Sequence, residues 1–357
     1  MSKKQDLINA FDPNGLGNTE NIFGLPFDEK TADLILLPVP WEVTVSYAAG
    51  TAQGPQHILE ASTQVDLYQK DIIDAWQLGI QMLPIDQGLL TKSNKNRILA
   101  EEYIGLLEAG EENSEKGISL LKDVNSVCAE MVDWVKSKSL MQLEKRKLLG
   151  LVGGDHSTPL GAVQALATQH ESFGVLQIDA HMDFRKAYEN FDYSHASISY
   201  NMLQTVPQIE KMVQVGIRDF CEEEIRFAEK QGDRVNVFYD DDIKVGMFEG
   251  ESWTIICDRI IKELPNEVYI TFDIDGLRPE LCPNTGTPVP GGISYSEIIY
   301  LLTRLVKNGK KIIGFDLNEV APGENTDWNG NVGARILYRL CNLMGVSQGK
   351  LDWDESF

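Results

Sequence analysis

Seven short apolar runs, Ala32–Val39, Lys147–Val152, Phe173–Ala180, Met212–Ile217, Val235–Tyr239, Glu267–Asp275 and Lys311–Val320, alternate along the chain with amphipathic stretches of helical length. Strands that return to a parallel neighbour through a helix bury both faces of their sheet. The alternation therefore predicts an α/β fold, a parallel sheet covered by helices on both sides. The clearest helix begins at Ser294. Ser294 and Glu297 form a capping-box pair, Ile298, Leu301, Leu302, Leu305 and Val306 fall on one helical face, and Asn308-Gly309 stops the turn.

Two regions break the rhythm. Residues 1–31 carry little periodic signal and read as a peripheral N-terminal arm. Residues 86–146 begin irregularly, pass through the acidic LLEAGEENSEKG and end in a helical pattern around Cys128, Met131, Val132, Val135 and Leu140. No Pro/Gly/Ser linker sets them apart, so they read as an insertion in one domain spanning 32–350.

Charge narrows the partners. With 32 Lys+Arg against 54 Asp+Glu the formal net charge is −22, which repels phosphate backbones and anionic headgroups and leaves a small molecule as the expected partner rather than nucleic acid or membrane. The first residues, MSKKQDLINAFDPNG, lack a signal peptide's apolar core, and no apolar run approaches membrane-spanning length, so a cytoplasmic protein is expected. The 5 cysteines are odd in number and contain no C-x-x-C, which suggests reduced, mostly buried thiols and not a disulfide framework or zinc knuckle.

Four segments gather histidine and acid where apolar strands should end: GGDHS (153–157), DAHMD (179–183), FDID (272–275) and FDLNEV (315–320). Ligand sites of open parallel sheets lie beyond the carboxyl ends of the strands, so the four are expected to converge. Alternation along a strand puts Asp179, His181 and Asp183 on one side and Asp273 with Asp275 on one side, with His156 added from the Gly-Gly turn. Four carboxylates held together without cations would repel, and two divalent ions would cancel their charge. Mixed oxygen and nitrogen donors without thiolate suit Mn²⁺, with Ni²⁺, Co²⁺ or Fe²⁺ as other possibilities. Taken singly, each segment also has a plain structural reading: a D-x-D pair can be a loop cap, and Asp155 can cap a helix beginning near Thr158-Pro159.

GGDHS, DAHMD and FDIDGLRP followed by TGTPVPGG resemble, in this order, the signature blocks of the ureohydrolases, the family of arginase, agmatinase and formimidoylglutamase. The resemblance covers roughly residues 32–345 and looks closest to agmatinase-like members. It implies a three-layer α/β/α domain with a mostly parallel eight-stranded sheet, a binuclear manganese site with two Mn²⁺ per subunit, and a homo-oligomer, trimer or hexamer. It also implies the ligand sets. One ion would take His156, Asp179, Asp183 and Asp273, the other Asp179, His181, Asp273 and Asp275, with Asp179 and Asp273 bridging. A water bridging two such ions ionises near neutral pH and attacks a planar guanidino carbon, giving urea and an amine. In that scheme Asp183 orients the hydroxide, His195 shuttles the proton to the leaving amine, and Glu319 holds the guanidinium. His195 also reads as a partly exposed loop histidine.

Arg278 stands where many members carry a further Asp, outside the metal set. Arg185, directly after DAHMDF, is similar to the arginine with which formimidoylglutamases meet a substrate carboxylate; otherwise it pairs with Asp192 or Glu189. Phe184, Tyr188, Phe191, Tyr193, Trp41 and Trp328 are aromatic candidates for narrowing the pocket around a short alkylguanidine or free guanidine. A small cationic guanidino substrate, agmatine-like or smaller, ranks first, with arginine and formimidoylglutamate after it. A non-catalytic metal scaffold and a single-metal amidohydrolase of the deacetylase type are the readings from other classes.

Overall fold

Eight strands form one sheet in the computed structural model, which describes residues 2–15, 17 and 20–356. They are β1 Leu34–Val39, β2 Ile80–Met82, β3 Leu148–Gly153, β4 Phe173–Ile178, β5 Ile209–Ile217, β6 Val235–Tyr239, β7 Glu267–Phe272 and β8 Lys311–Leu317. The order across the sheet is β2-β1-β3-β8-β7-β4-β5-β6, and every neighbouring pair is parallel. Alternate side chains feed two cores: on β4, Leu176 and Ile178 enter one, and Phe173 and Val175 the other. The first core packs beneath helices Trp253–Glu263, Tyr295–Lys307 and Trp328–Ser347, the second beneath Glu115–Glu144, Leu160–Leu166 and Ile198–Thr205. The three-layer expectation holds, with the sheet wholly parallel.

The helix Tyr295–Lys307 follows its sequence closely. Ser294 Oγ accepts the Glu297 N–H at 3.3 Å, Glu297 Oε2 accepts the Ser294 N–H at 2.8 Å, and the five predicted apolar positions are buried. β2 escaped the pattern because three residues are too few to show an alternation.

Three expectations need correction. The strand runs end earlier than their sequence suggests, so Asp179–Asp183, Asp273–Asp275 and Glu319 lie on turns rather than on extended strand. The segment expected to begin irregularly is helical from Gln87: two helices, Gln87–Glu108 and Glu115–Glu144, make a hairpin, and the first is capped by Asp86, which accepts the Leu89 N–H at 2.9 Å. Its helical period was faint because only Leu89, Ser93, Ala100 and Tyr103 of the first helix are buried. Finally, the N-terminal arm is not peripheral throughout, since Ile22, Phe23, Leu25 and Phe27 are buried in the first core. No helix among the described residues is long and apolar enough to cross a membrane.

Candidate metal centre and substrate pocket

The strand order reverses around β8 and β7, which separate β3 from β4. The carboxyl ends of β3, β4, β7 and β8 lead to His156, Asp179, Asp273 and Glu319 respectively, at the position where an open parallel sheet leaves a crevice. Two backbones adopt left-handed geometry to bring side chains inward: Asp183 at φ 55° and Glu319 at φ 62°. Non-glycine residues reach this region at a cost that the surrounding contacts must offset.

His156 Nδ1 faces three carboxylates, Asp179 Oδ2 and Asp183 Oδ2 at 3.1 Å and Asp273 Oδ2 at 3.2 Å. Its other nitrogen, Nε2, meets Thr271 Oγ1 at 2.8 Å, and that hydroxyl donates to Asp316 Oδ1 at 2.9 Å. This relay places the ring proton on Nε2, because the threonine hydroxyl has already committed its own. Nδ1 is then a lone pair, buried without a hydrogen-bond partner, aimed at three anionic oxygens. Positive charge at that point satisfies the arrangement: burial works against it, but bonds to the three carboxylates hold the His156 pKa well above its ordinary value, and a divalent ion would take the place of that proton. A second group stands beside the first: His181 Nδ1 lies 3.1 Å from Asp275 Oδ2 and 3.6 Å from Asp179 Oδ1.

The ligand atoms of His156, Asp179 and Asp183, and those of Asp179, His181 and Asp275, form two compact groups that share Asp179. The backbone fixes them further. The Ala180 N–H donates to Asp275 Oδ1 at 3.0 Å, the Asp275 N–H to Asp273 Oδ1 at 2.9 Å, and Gln177 Nε2 to Asp179 Oδ2 at 2.8 Å. Charge crowding shows in the protonation equilibria. Burial and the Asp179 carboxylate push Asp183 up to about 7, and burial and Asp275 push Asp273 well above the usual carboxylate range. Asp179 stays low in spite of its burial because both imidazoles bond to it. The donor set, carboxylate oxygens and imidazole nitrogens without sulfur, fits two divalent ions.

Next to these groups is a cavity of about 170 Å³. Glu319 enters it from β8: Oε1 accepts the His156 N–H at 2.9 Å, while Oε2 is buried with no partner. Burial, then the carboxylates of Asp273 and Asp155, push its pKa well up, so a cation in the cavity would be strongly welcomed. His195 forms part of another wall. Its Nε2 is 3.5 Å from Ser46 Oγ, its Nδ1 3.5 Å from Ser194 Oγ, and its backbone N–H donates to Thr44 Oγ1 at 3.3 Å. Burial first, then the nearby His181 charge, brings the imidazole down to about 4, so at neutral pH it is an uncharged proton acceptor rather than a group poised near neutrality.

Several expected contacts fall elsewhere. Arg185 does line the cavity, but its Nε donates to Glu224 Oε2 at 3.1 Å and its guanidinium lies over the Tyr188 ring at 5.3 Å; its partner is neither Asp192 nor Glu189. Of the six candidate aromatics only Tyr188 lines the cavity. Trp41, Phe184 and Phe191 are buried in the second core, Tyr193 packs against it, and Trp328 donates from its indole to Glu280 O at 3.0 Å. Asp155 does not cap a helix. It closes a local turn onto Ser157, whose N–H donates to Oδ1 at 3.0 Å. Sequence reasoning missed Ser46, Asp219, Phe220 and Thr287, which line the cavity, and the Thr271–Asp316 relay behind His156. Asp316 sat inside a quoted segment, but loop residues such as Ser46 carry no periodic signal.

The profile of the arginase family matches residues 32–342. The chain is similar to an N(1)-aminopropylagmatine ureohydrolase of Thermus thermophilus, 30% identical over 334 residues that cover 91% of this chain and 94% of that one. It is also similar to an agmatinase of Pyrococcus horikoshii, 27% identical, with 88% and 93% covered. Among solved structures, the agmatine ureohydrolase of Thermoplasma volcanium shares the fold at a TM-score of 0.68 and 20% identity, covering 97% of this chain and 99% of that one. The chain belongs to the arginase family.

Proposed function

We propose that this chain, a metal-dependent ureohydrolase, cleaves a short guanidino compound, agmatine-like or smaller, into urea and an amine. The observation that carries the reading is Glu319 Oε2, a buried carboxylate oxygen without a partner at the wall of a cavity of about 170 Å³. A guanidinium offers parallel N–H donors to a carboxylate, which a neutral amide does not.

His156, Asp179, Asp183, Asp273, His181 and Asp275 would hold two divalent ions, Mn²⁺ by the donor set with Ni²⁺ as the alternative. When bound, such ions lower the pKa of water enough to supply a nucleophile near neutral pH. The protein's own groups do the rest. Glu319 orients the guanidinium plane, and the Asp183 carboxylate aligns the attacking water. Neutral His195 takes up a proton at its ring and delivers it to the departing amine, whose expulsion from the tetrahedral carbon requires one. Arg185 stands where the far end of a substrate would reach, so a guanidino acid is the second reading. Its guanidinium donates from Nε to Glu224 Oε2. We place the enzyme in the cytoplasm as a homo-oligomer, a reading supported for assembly by the exposed apolar side chains of Phe248, Val245 and Ile255.

Urea release measured across amino-, carboxy- and unsubstituted guanidino compounds, after Mn²⁺ or Ni²⁺ reconstitution, tests the assignment. Turnover of an alkylguanidine bearing a distal amine, or of guanidine itself, is expected to lead. Preference for a guanidino acid that vanishes in Arg185→Ala would move the second reading to first place.

A further inference from the structure

The helical hairpin 87–144 touches both loops that wall the cavity. On one side Ser93 Oγ accepts the Glu42 N–H at 3.0 Å, and Arg97 Nη1 donates to Val43 O at 3.3 Å and also to Val45 O. These bonds pin the irregular segment 41–50, which carries Thr44 and Ser46. On the other side Asn125 accepts the Asp192 N–H at 2.9 Å and donates to Asn190 O at 3.3 Å, while Tyr103 OH accepts from Asn190 Nδ2 at 2.8 Å. The Tyr103 and Phe191 rings pack with centroids 5.4 Å apart. The segment held there contains Ala187, Glu189 and Asn190 at φ 48°, 53° and 64°, a run of left-handed residues that persists only where outside contacts impose it. The two loops meet in the cavity, at Ser46 Oγ and His195 Nε2, 3.5 Å apart.

We propose that the hairpin is a strut which holds the cavity's two loop walls together at the Ser46–His195 contact and thereby sets how much room the cavity leaves for the chain of a guanidino substrate. Arg97, Tyr103 and Asn125 are its positioning residues, and none of them lines the cavity. The proposal rests on the guanidino reading given above. One rigid element bonded to both walls transmits any shift of one to the other, and a sub-ångström change of gap alters which substrate is held in line.

Arg97→Ala, Asn125→Ala and the conservative Tyr103→Phe test this by hydrogen exchange and by kinetics on a series of guanidino compounds of increasing chain length. Amide exchange is expected to rise about tenfold in 42–50 for Arg97→Ala and in 187–193 for the other two, the loss of one or two hydrogen bonds. kcat/KM on the preferred length should fall about five- to tenfold, while longer compounds lose less, so that the length preference flattens. Unchanged loop exchange, or loosened loops with an unaltered length preference, would overturn the strut. A rise in exchange throughout the chain would overturn it too, since that is general destabilisation. If the wild-type protein released urea from no guanidino compound, the substrate reading would fall and take the length gauge with it. Active wild type with unaffected variants removes the gauge alone.

Discussion

Glu319 Oε1 accepts the His156 backbone N–H at 2.9 Å, so the carboxylate we assign to the guanidinium and an imidazole we assign to a metal are braced by one hydrogen bond. The other oxygen, Oε2, is buried with no hydrogen-bond partner among the described residues and is available to a bound cation.

Replacing Glu319 with Gln keeps the size, removes the charge and sets an amide group where two acceptors stood. Hydrogen bonds to charged groups contribute about 1.5–3 kcal/mol, so kcat/KM on the best guanidino substrate should fall roughly ten- to a hundredfold before any misalignment is counted. Metal content should stay as in wild type. Wild-type kcat/KM in Glu319→Gln would point instead to a neutral amide substrate.

Asp273 supplies one of the three carboxylate oxygens around His156 Nδ1. Asp273→Ala should release at least one of two bound ions, because two cations would face each other with less negative charge between them. Elemental analysis of the purified variant decides this. Two ions per subunit together with normal turnover would contradict the assigned ligand set.

His195→Asn retains a polar side chain of similar reach without the titrating ring. Turnover should drop by roughly 10²–10⁴-fold, the usual contribution of a general acid–base group, with metal content unaltered. If kcat did not move, His195 would be a wall residue only.

Stability has a separate test far from the chemistry. Arg339, 7% exposed, forks onto Asp71 with Nη1 to Oδ1 at 2.8 Å and Nη2 to Oδ2 at 2.6 Å. Burial alone would raise the Asp71 pKa, but the guanidinium holds it below the usual carboxylate value. Asp71→Ala strands a buried cation and should cost about 3 kcal/mol, read as a lower urea midpoint at neutral pH. Since the folded pKa is the depressed one, this contribution is complete above about pH 4 and fades as pH falls through the folded value. The wild-type and Asp71→Ala midpoints should therefore converge under acid; a constant gap down to about pH 2 would refute the linkage.

The candidate metal ligands were legible because their residue types are rare together and sit at the ends of strongly apolar runs. Strand alternation predicted that Asp179, His181 and Asp183 share one side, but β4 ends at Ile178, and it is a turn with Asp183 at φ 55° that brings Asp179 near both His181 and Asp183. Alternation could not reveal Ser46 or Thr44, whose loop has no period and takes its shape from Arg97, half a hundred residues away in sequence. Tyr188 and Phe191 look alike in the sequence, yet one lines the cavity and the other packs on Tyr103, a choice made by a helix whose own pattern was too polar to notice.

The position of β8 between β3 and β7 has a consequence for how the enzyme comes into being. As the chain leaves the ribosome, β3 and β4 emerge early but have no shared edge, and they stay unjoined until two late strands slot between them. Glu319 arrives last of all the residues assigned to the site. A nascent chain that stops before β8 therefore has neither a continuous sheet nor the Glu319 carboxylate at the cavity wall.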